Sequence, residues 1–152
     1  QLLHANRYYN HIPGWRIQCR ISPAIWSNYF RFCVDRNPFE KTLSHYFMLN
    51  KLAGNNLELS EYFSRKIFCL NYPLYSNRNG ELLVHRVLRY ENLDNDLNDV
   101  CSTIGIPWPG TLAERMKADY RSDYRSYDEI LTPEQIQIIR KVFSTEFAVN
   151  GY

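Results

Sequence analysis

Apolar residues along the chain switch between two spacings. Asn28 to Val34 reads NYFRFCV, a nearly continuous aromatic and apolar run, and predicts a mostly buried strand over 28–34. Directly after it, Phe39, Leu43, Tyr46 and Phe47 recur at helical spacing and predict a helix over about 38–53. Its start is marked by Asn37 as N-cap, Pro38 at the first helical position and Glu40 as the acid of an N-x-x-E capping box. Beyond Gly54, Asn55 and Asn56, the stretch LELSEYFSRKIF predicts a second amphipathic helix with Leu59, Tyr62, Phe63 and Ile67 inward. NYPLYSNRNGE reads as a loop with an Asn-Gly turn. ELLVHRVLRY predicts a second strand from Glu81 to about Tyr90. ENLDNDLNDVCSTIG follows as a helix with Leu97, Val100, Cys101 and Ile104 on one stripe and Gly105 as its stop. The last helix, over 133–147, opens on the capped start Thr132-Pro133-Glu134-Gln135 and turns Ile136, Ile139, Val142, Phe143 and Phe147 inward.

Strands separated by helices predict an α/β fold, a parallel sheet flanked by helices with the 28–34 strand internal to it. Residues 1–27, broken by Pro13, Gly14 and Pro23, read as a helical or irregular entry. The chain's 152 residues, 45% of them hydrophobic, suffice for a single domain with a core. A formal charge of +2 is too small to argue for nucleic acid as the partner. The four cysteines, Cys19, Cys33, Cys69 and Cys101, form no C-x-x-C pair, so no zinc site is expected, and Cys33 and Cys101 read as buried small hydrophobes. No apolar run reaches the length of a membrane span and no signal peptide opens the chain, which makes the cytoplasm the default compartment.

Two stretches carry candidate chemistry. Arg36 stands at the strand-to-helix switch, beside the positive end of a helix, with Ser44 two turns in. An Arg fork beside a helix N-terminus suits a phosphate dianion. The same residues also fit a surface Arg and a capped helix packed on a sheet. The second stretch, MKADYRSDYRSY over 116–127, holds the cations Lys117, Arg121 and Arg125; it equally fits a solvated loop balanced by Asp119 and Asp123.

The order of these motifs resembles a known family. WSNYFRFCVDRNPFEKTLSHYFML is similar to the 3′-phosphate-binding segment of sulfotransferases that take sulfuryl from 3′-phosphoadenosine 5′-phosphosulfate, above all the carbohydrate-type and bacterial members. RYENLDNDLNDVCSTIGIP resembles the family's strand-to-helix segment, and KADYRSDYRSYDEILTPEQ, followed by a helix ending in NGY, its nucleotide-covering loop and closing helix. The likeness runs from about His11 to the end of the chain. It implies a P-loop-nucleotide-binding type of fold, no metal, and a hydroxyl acceptor, that of a carbohydrate or another hydroxylated molecule. Arg36 and Ser44 would bind the nucleotide's 3′-phosphate, with Lys117, Arg121 and Arg125 over the same nucleotide. His11, in NHIPGW, falls in the acceptor region and would act as general base, with His4 the second candidate. His45 and His85 read as structural. The family's 5′-phosphosulfate loop has no counterpart: the six glycines never cluster and no G-K-[ST] occurs. That loop and an N-terminal part are expected to precede Gln1, and a membrane anchor there would place the protein in the Golgi lumen. Two alternatives stay open, a non-catalytic nucleotide- or sugar-binding module and a P-loop kinase-like enzyme, which needs a Walker-type Lys and Mg²⁺ ligands.

Overall fold

The chain enters through two short helices, α1 (Gly14–Gln18) and α2 (Pro23–Asn28), in a computed structural model that describes residues 8–54, 56–112 and 120–152. Ser22 caps α2 by accepting the Ile25 amide, and Pro23 sits at its first position. This Ser-Pro start takes Asn28 for a helix, so the strand expected over 28–34 begins later, as β1 (Phe32–Asp35). Arg31 fixes the entry to β1. Its Nε donates to the Leu83 carbonyl at 2.8 Å, its amide to His85 Nδ1 at 2.9 Å, and its guanidinium lies 4.2 Å from the Trp26 ring centre.

β1 pairs in parallel with β2 (Arg86–Arg89), Phe32 opposite Arg86 and Asp35 opposite Arg89. β2 is shorter than the strand expected over 81–90. The Asn-Gly turn closes by an Asn77 amide bond to the Glu81 carbonyl at 2.9 Å, and the Leu83 amide returns to Tyr75 at 2.8 Å. Residues 81–83 therefore pair back toward Ser76 instead of extending the strand. Among the described residues the sheet has these two strands alone, so β1 is not internal; Phe32 and Val34 are each 42% exposed.

Helices make up most of the rest: α3 (Pro38–Leu52), α4 (Leu59–Ser64), α5 (Tyr72–Tyr75), α6 (Leu93–Ile104), α7 (Tyr127–Ile130), α8 (Pro133–Val142) and α9 (Ser144–Asn150). The result is a mixed, roughly α/β arrangement around a small parallel sheet. α4 stops short of the helix expected to Phe68 because Lys66 turns left-handed at φ 54°, and α5 forms inside the expected loop. Gly105, at φ 74°, ends α6 where expected. The single helix expected over 133–147 is divided at Phe143, whose backbone leaves the helical region while its ring is buried. Phe143 joins Leu43, Tyr62 and Ile139 in a core built by α3, α4, α8 and this joint. The core grips one side of α3. Glu40, Ser44 and Lys51, on another side, fall within about 40° of each other at 100° per residue. The four cysteines are free, and Cys33 and Cys101 are half-buried where full burial was expected.

Candidate functional site

Both parallel strands end at one edge, Asp35 beside Arg89, and each runs directly into a helix start. Ligand crevices of open α/β sheets lie outside the carboxyl ends of their strands. A cavity of about 620 Å³ opens there, lined by Arg36, Glu40, Tyr90, Glu91, Asp94 and Leu112 among others.

Arg36 projects into this cavity with its guanidinium 4.8 Å from the Tyr90 ring centre. Its Nη2 is 3.6 Å from Glu40 Oε2, and its Nε, 3.9 Å from Glu91 Oε1, is buried without a hydrogen-bond partner. The expected capping box forms only in part. Asn37 caps α3 by accepting the Phe39 amide at 3.0 Å, but the Asn37 amide donates to Glu91 Oε1 at 2.9 Å and not to Glu40. Glu91 is held in turn by the Tyr152 hydroxyl at 3.0 Å, whose own ionisation is pushed up by burial and by the Glu91 charge.

Glu40 is thereby free for another partner. Arg121, 81 residues further on, donates from Nη1 to Glu40 Oε2, the oxygen that also faces Arg36. The rest of the Arg121 guanidinium is held by its own loop: Nε donates to the Asp123 carbonyl at 2.6 Å and Nη2 to the Arg125 carbonyl at 2.7 Å. Arg125 turns away onto Asp123, Nη2 to Oδ2 at 2.6 Å. Hydrogen bonds from the Arg125 side chain and amide hold the Asp123 carboxyl down at about 2.

Of the residues singled out by sequence, Arg36 and Arg121 are thus brought together. Ser44 is half-buried one turn beyond Glu40, outside the cavity lining. The Tyr120 ring centre lies 5.1 Å from Lys51 Nζ while Arg121 reaches Glu40, so this loop runs along the turns of α3 that carry Ser44. Lys117 and His4 lie outside the described residues. His11 is exposed in a left-handed turn at φ 60°. It leads into α1, where Gly14 packs on Leu74 and Leu83, toward the amino end of β2. His11 does not line the cavity. His45 Nδ1 is 3.0 Å from the buried Tyr62 hydroxyl, and burial, larger than the opposing hydrogen bond at Ile67, keeps its imidazole below the ordinary range. His85 stacks on Phe30 with ring centres 5.1 Å apart.

Beneath the cavity lies a charged network that the sequence reading missed. Lys41 Nζ donates to Asp35 Oδ1 at 2.8 Å and to Glu146 Oε2, with all three side chains buried. Glu146 Oε1 accepts the Asn71 and Tyr72 amides at 2.7 and 2.8 Å. Asp35 accepts from Asn71, Tyr75, Asn150 and the Arg36 amide at 2.8, 2.9, 3.2 and 2.8 Å. Burial pushes the Asp35 carboxyl up, but Lys41, Asn71 and the Arg36 amide outweigh it and hold the carboxyl below its ordinary value. The signal for Glu146 was present, since Ile139, Phe143, Glu146 and Asn150 recur at helical spacing with an acid in an inward position. Among the described residues no group of three or more His, Cys, Asp and Glu side chains is placed to hold a metal ion, and no helix is long and apolar enough to cross a membrane.

An uncharacterized protein of Archaeoglobus fulgidus is 35% identical to this chain over 101 residues, covering 63% of the chain and 84% of the archaeal protein. The chain belongs to the same family as that archaeal protein. No protein-family model matches the chain, and no solved structure matches it.

Proposed function

We propose that the cavity at the carboxyl edge of β1 and β2 binds the 3′-phosphate of an adenine nucleotide, and that the chain serves a sulfotransferase of P-loop-related fold. The donor in this reading is 3′-phosphoadenosine 5′-phosphosulfate and the acceptor a carbohydrate hydroxyl. The observation that carries the reading is the convergence of Arg36 and Arg121 on a single carboxylate oxygen at the first turn of α3. Two guanidinium forks around one oxygen at a helix start are a ready anion cradle, and the planar fork suits phosphate. The two arginines come from the two segments that resemble the family's 3′-phosphate-binding strand-to-helix switch and its nucleotide-covering loop.

In the transfer, the acceptor oxygen forms a bond to sulfur as the bond from sulfur to the 5′-phosphate oxygen breaks, and the hydroxyl proton passes to a base. His11 is the candidate base of this reading. Its placement in an exposed turn toward the other end of β2 favours a second reading, a nucleotide-binding module without chemistry of its own.

The test is a thermal-shift comparison of 3′-phosphoadenosine 5′-phosphate with adenosine 5′-phosphate. At about a hundredfold over its dissociation constant a ligand adds about 2.7 kcal/mol. For a chain of this length that raises Tm by roughly 5–10 °C. The bisphosphate is expected to give the larger shift, and equal shifts would refute the 3′-phosphate assignment. Sulfate transfer from the donor to a hydroxylated sugar, lost on His11→Ala with donor affinity unchanged, separates the enzyme from the binding module.

A further inference from the structure

We propose that Glu40 is an internal counter-ion, seated where the ligand's phosphate goes and displaced by it. The inference rests on the phosphate site proposed above and adds a competitor built into the chain. Glu40 Oε2 stands between Arg36 and Arg121, in the position a phosphate oxygen would take. The start of α3 does not need this carboxylate. Asn37 caps the helix with its own side chain, and Glu91 accepts the Asn37 amide that an N-terminal acid of a capping box would otherwise take. The three side chains keep some access to solvent, at 27% for Arg36, 23% for Glu40 and 15% for Arg121, so the carboxylate has a way out.

The cations would stay behind when Glu40 leaves. Two of the three Arg121 guanidinium nitrogens are held by loop carbonyls, and Arg36 is braced by the Tyr90 ring. Arg36 Nε is buried without an acceptor, a donor unused while Glu40 occupies the cradle. With Glu40 in place, an incoming anion meets a carboxylate of its own sign. With Glu40 displaced, it meets two guanidiniums. Exchange of a carboxylate for a monoanion changes the charge of the cradle by nothing, whereas a dianion adds one further negative charge against the same two cations. Glu40 therefore acts as a specificity-determining residue that favours a phosphate dianion over singly charged esters. It also latches the 120–126 loop onto α3 when no ligand is bound.

The test uses the whole chain, as wild type, Glu40→Gln and Glu40→Asp. Calorimetry measures 3′-phosphoadenosine 5′-phosphate and, as a probe without the nucleoside, inorganic pyrophosphate. Phenylglyoxal labelling of Arg36 and Arg121, read by mass spectrometry without ligand, reports whether Glu40 covers the guanidiniums. Glu40→Gln is expected to bind the nucleotide at least about tenfold more tightly, the scale of one charge-assisted hydrogen bond returned to the ligand. Both arginines should label faster than in wild type. Glu40→Asp, one methylene shorter and still charged, should fall between the two and keeps the test standing if the Gln variant folds poorly. Equal nucleotide affinity in wild type and both variants overturns the counter-ion role and leaves the nucleotide reading intact. Pyrophosphate binding that tightens in Glu40→Gln, without nucleotide binding in either form, upholds the counter-ion role and removes the nucleotide reading. If neither probe binds any form, both fall.

Discussion

Replacing Lys41 by Met tests whether the buried network is held by its one cation. Lys41 is the positive member between Asp35 and Glu146, and the side chains of the three are 7%, 0% and 1% exposed. Met keeps the length and the apolar stem but leaves two buried carboxylates without a cation, taking the trio from a formal −1 to −2. Breaking a buried pair by removing one partner costs about 3–5 kcal/mol, because the other charge is left uncompensated. The hydrogen bonds from Asn71, Tyr75, Asn150 and the 71–72 amides remain, which argues for the lower half of that range. Urea unfolding at pH 7 should show the loss as a lower midpoint with an unchanged slope. In a melt that lower half corresponds to roughly 6–16 °C.

The pH dependence separates a charge effect from a packing effect. In the wild type the folded Asp35 carboxyl lies below its ordinary 3.8, so its stabilisation is fully present above that value and is lost as pH falls through the folded value. Burial is the largest single influence on Asp35 and acts upward. With Lys41 gone, that influence is no longer outweighed, and the folded carboxyl moves above its unfolded value. The sign then reverses, and the variant regains stability as it takes up protons. The gap between wild type and Lys41→Met should therefore narrow from pH 7 toward pH 4.5. A loss under about 1 kcal/mol, or a gap that stays constant over this window, would refute the reasoning.

Leu43→Ala removes a side chain with no exposure at the centre of the α3–α4–α8 core and should cost about 2–5 kcal/mol in urea unfolding. In the nucleotide reading, Arg36→Lys should weaken binding of 3′-phosphoadenosine 5′-phosphate more than Ser44→Ala does, because a lost charged fork outweighs one neutral hydrogen bond. Calorimetry on both variants checks the order, and the reverse order would move the phosphate away from Arg36.

The helices were legible where start and stop signals agreed with the apolar spacing. Asn37-Pro38 opens α3, Thr132-Pro133 opens α8 with a complete capping box, and Gly105 closes α6. The strands were less so. A four-residue parallel strand buried on one face carries too little alternation to fix its ends, and Arg31, which pins the start of β1, acts through Leu83 and His85 more than fifty positions away. The site shows the same limit. Arg36 was visible from its local setting, whereas Glu40 looked like half of a capping box until Glu91 proved to take that role. Lys41 lies on the side of α3 opposite the Phe39, Leu43, Tyr46 and Phe47 stripe, where the spacing predicts a solvated lysine, yet it is buried. Its partners Asp35 and Glu146 lie 6 and 105 positions off, a pairing no local pattern encodes.

Asp35 ties these two levels together. It is the last residue of β1, and its Oδ1 accepts both the Lys41 ammonium and the Arg36 amide. The same carboxylate that fixes the network below therefore sets the direction of the backbone at the residue that projects above. Glu146 extends the arrangement by drawing the 71–72 amides and α9 to Lys41. A loop cation alone could drift with its loop. Arg36 cannot, because the peptide before its side chain is bonded to a buried acid with four other donors. Precise placement of a charged fork at an open cavity requires support from groups that are themselves immobile. In this chain the support is the acid directly preceding the arginine, so the polar core under the sheet edge and the guanidinium pair above it form one construction.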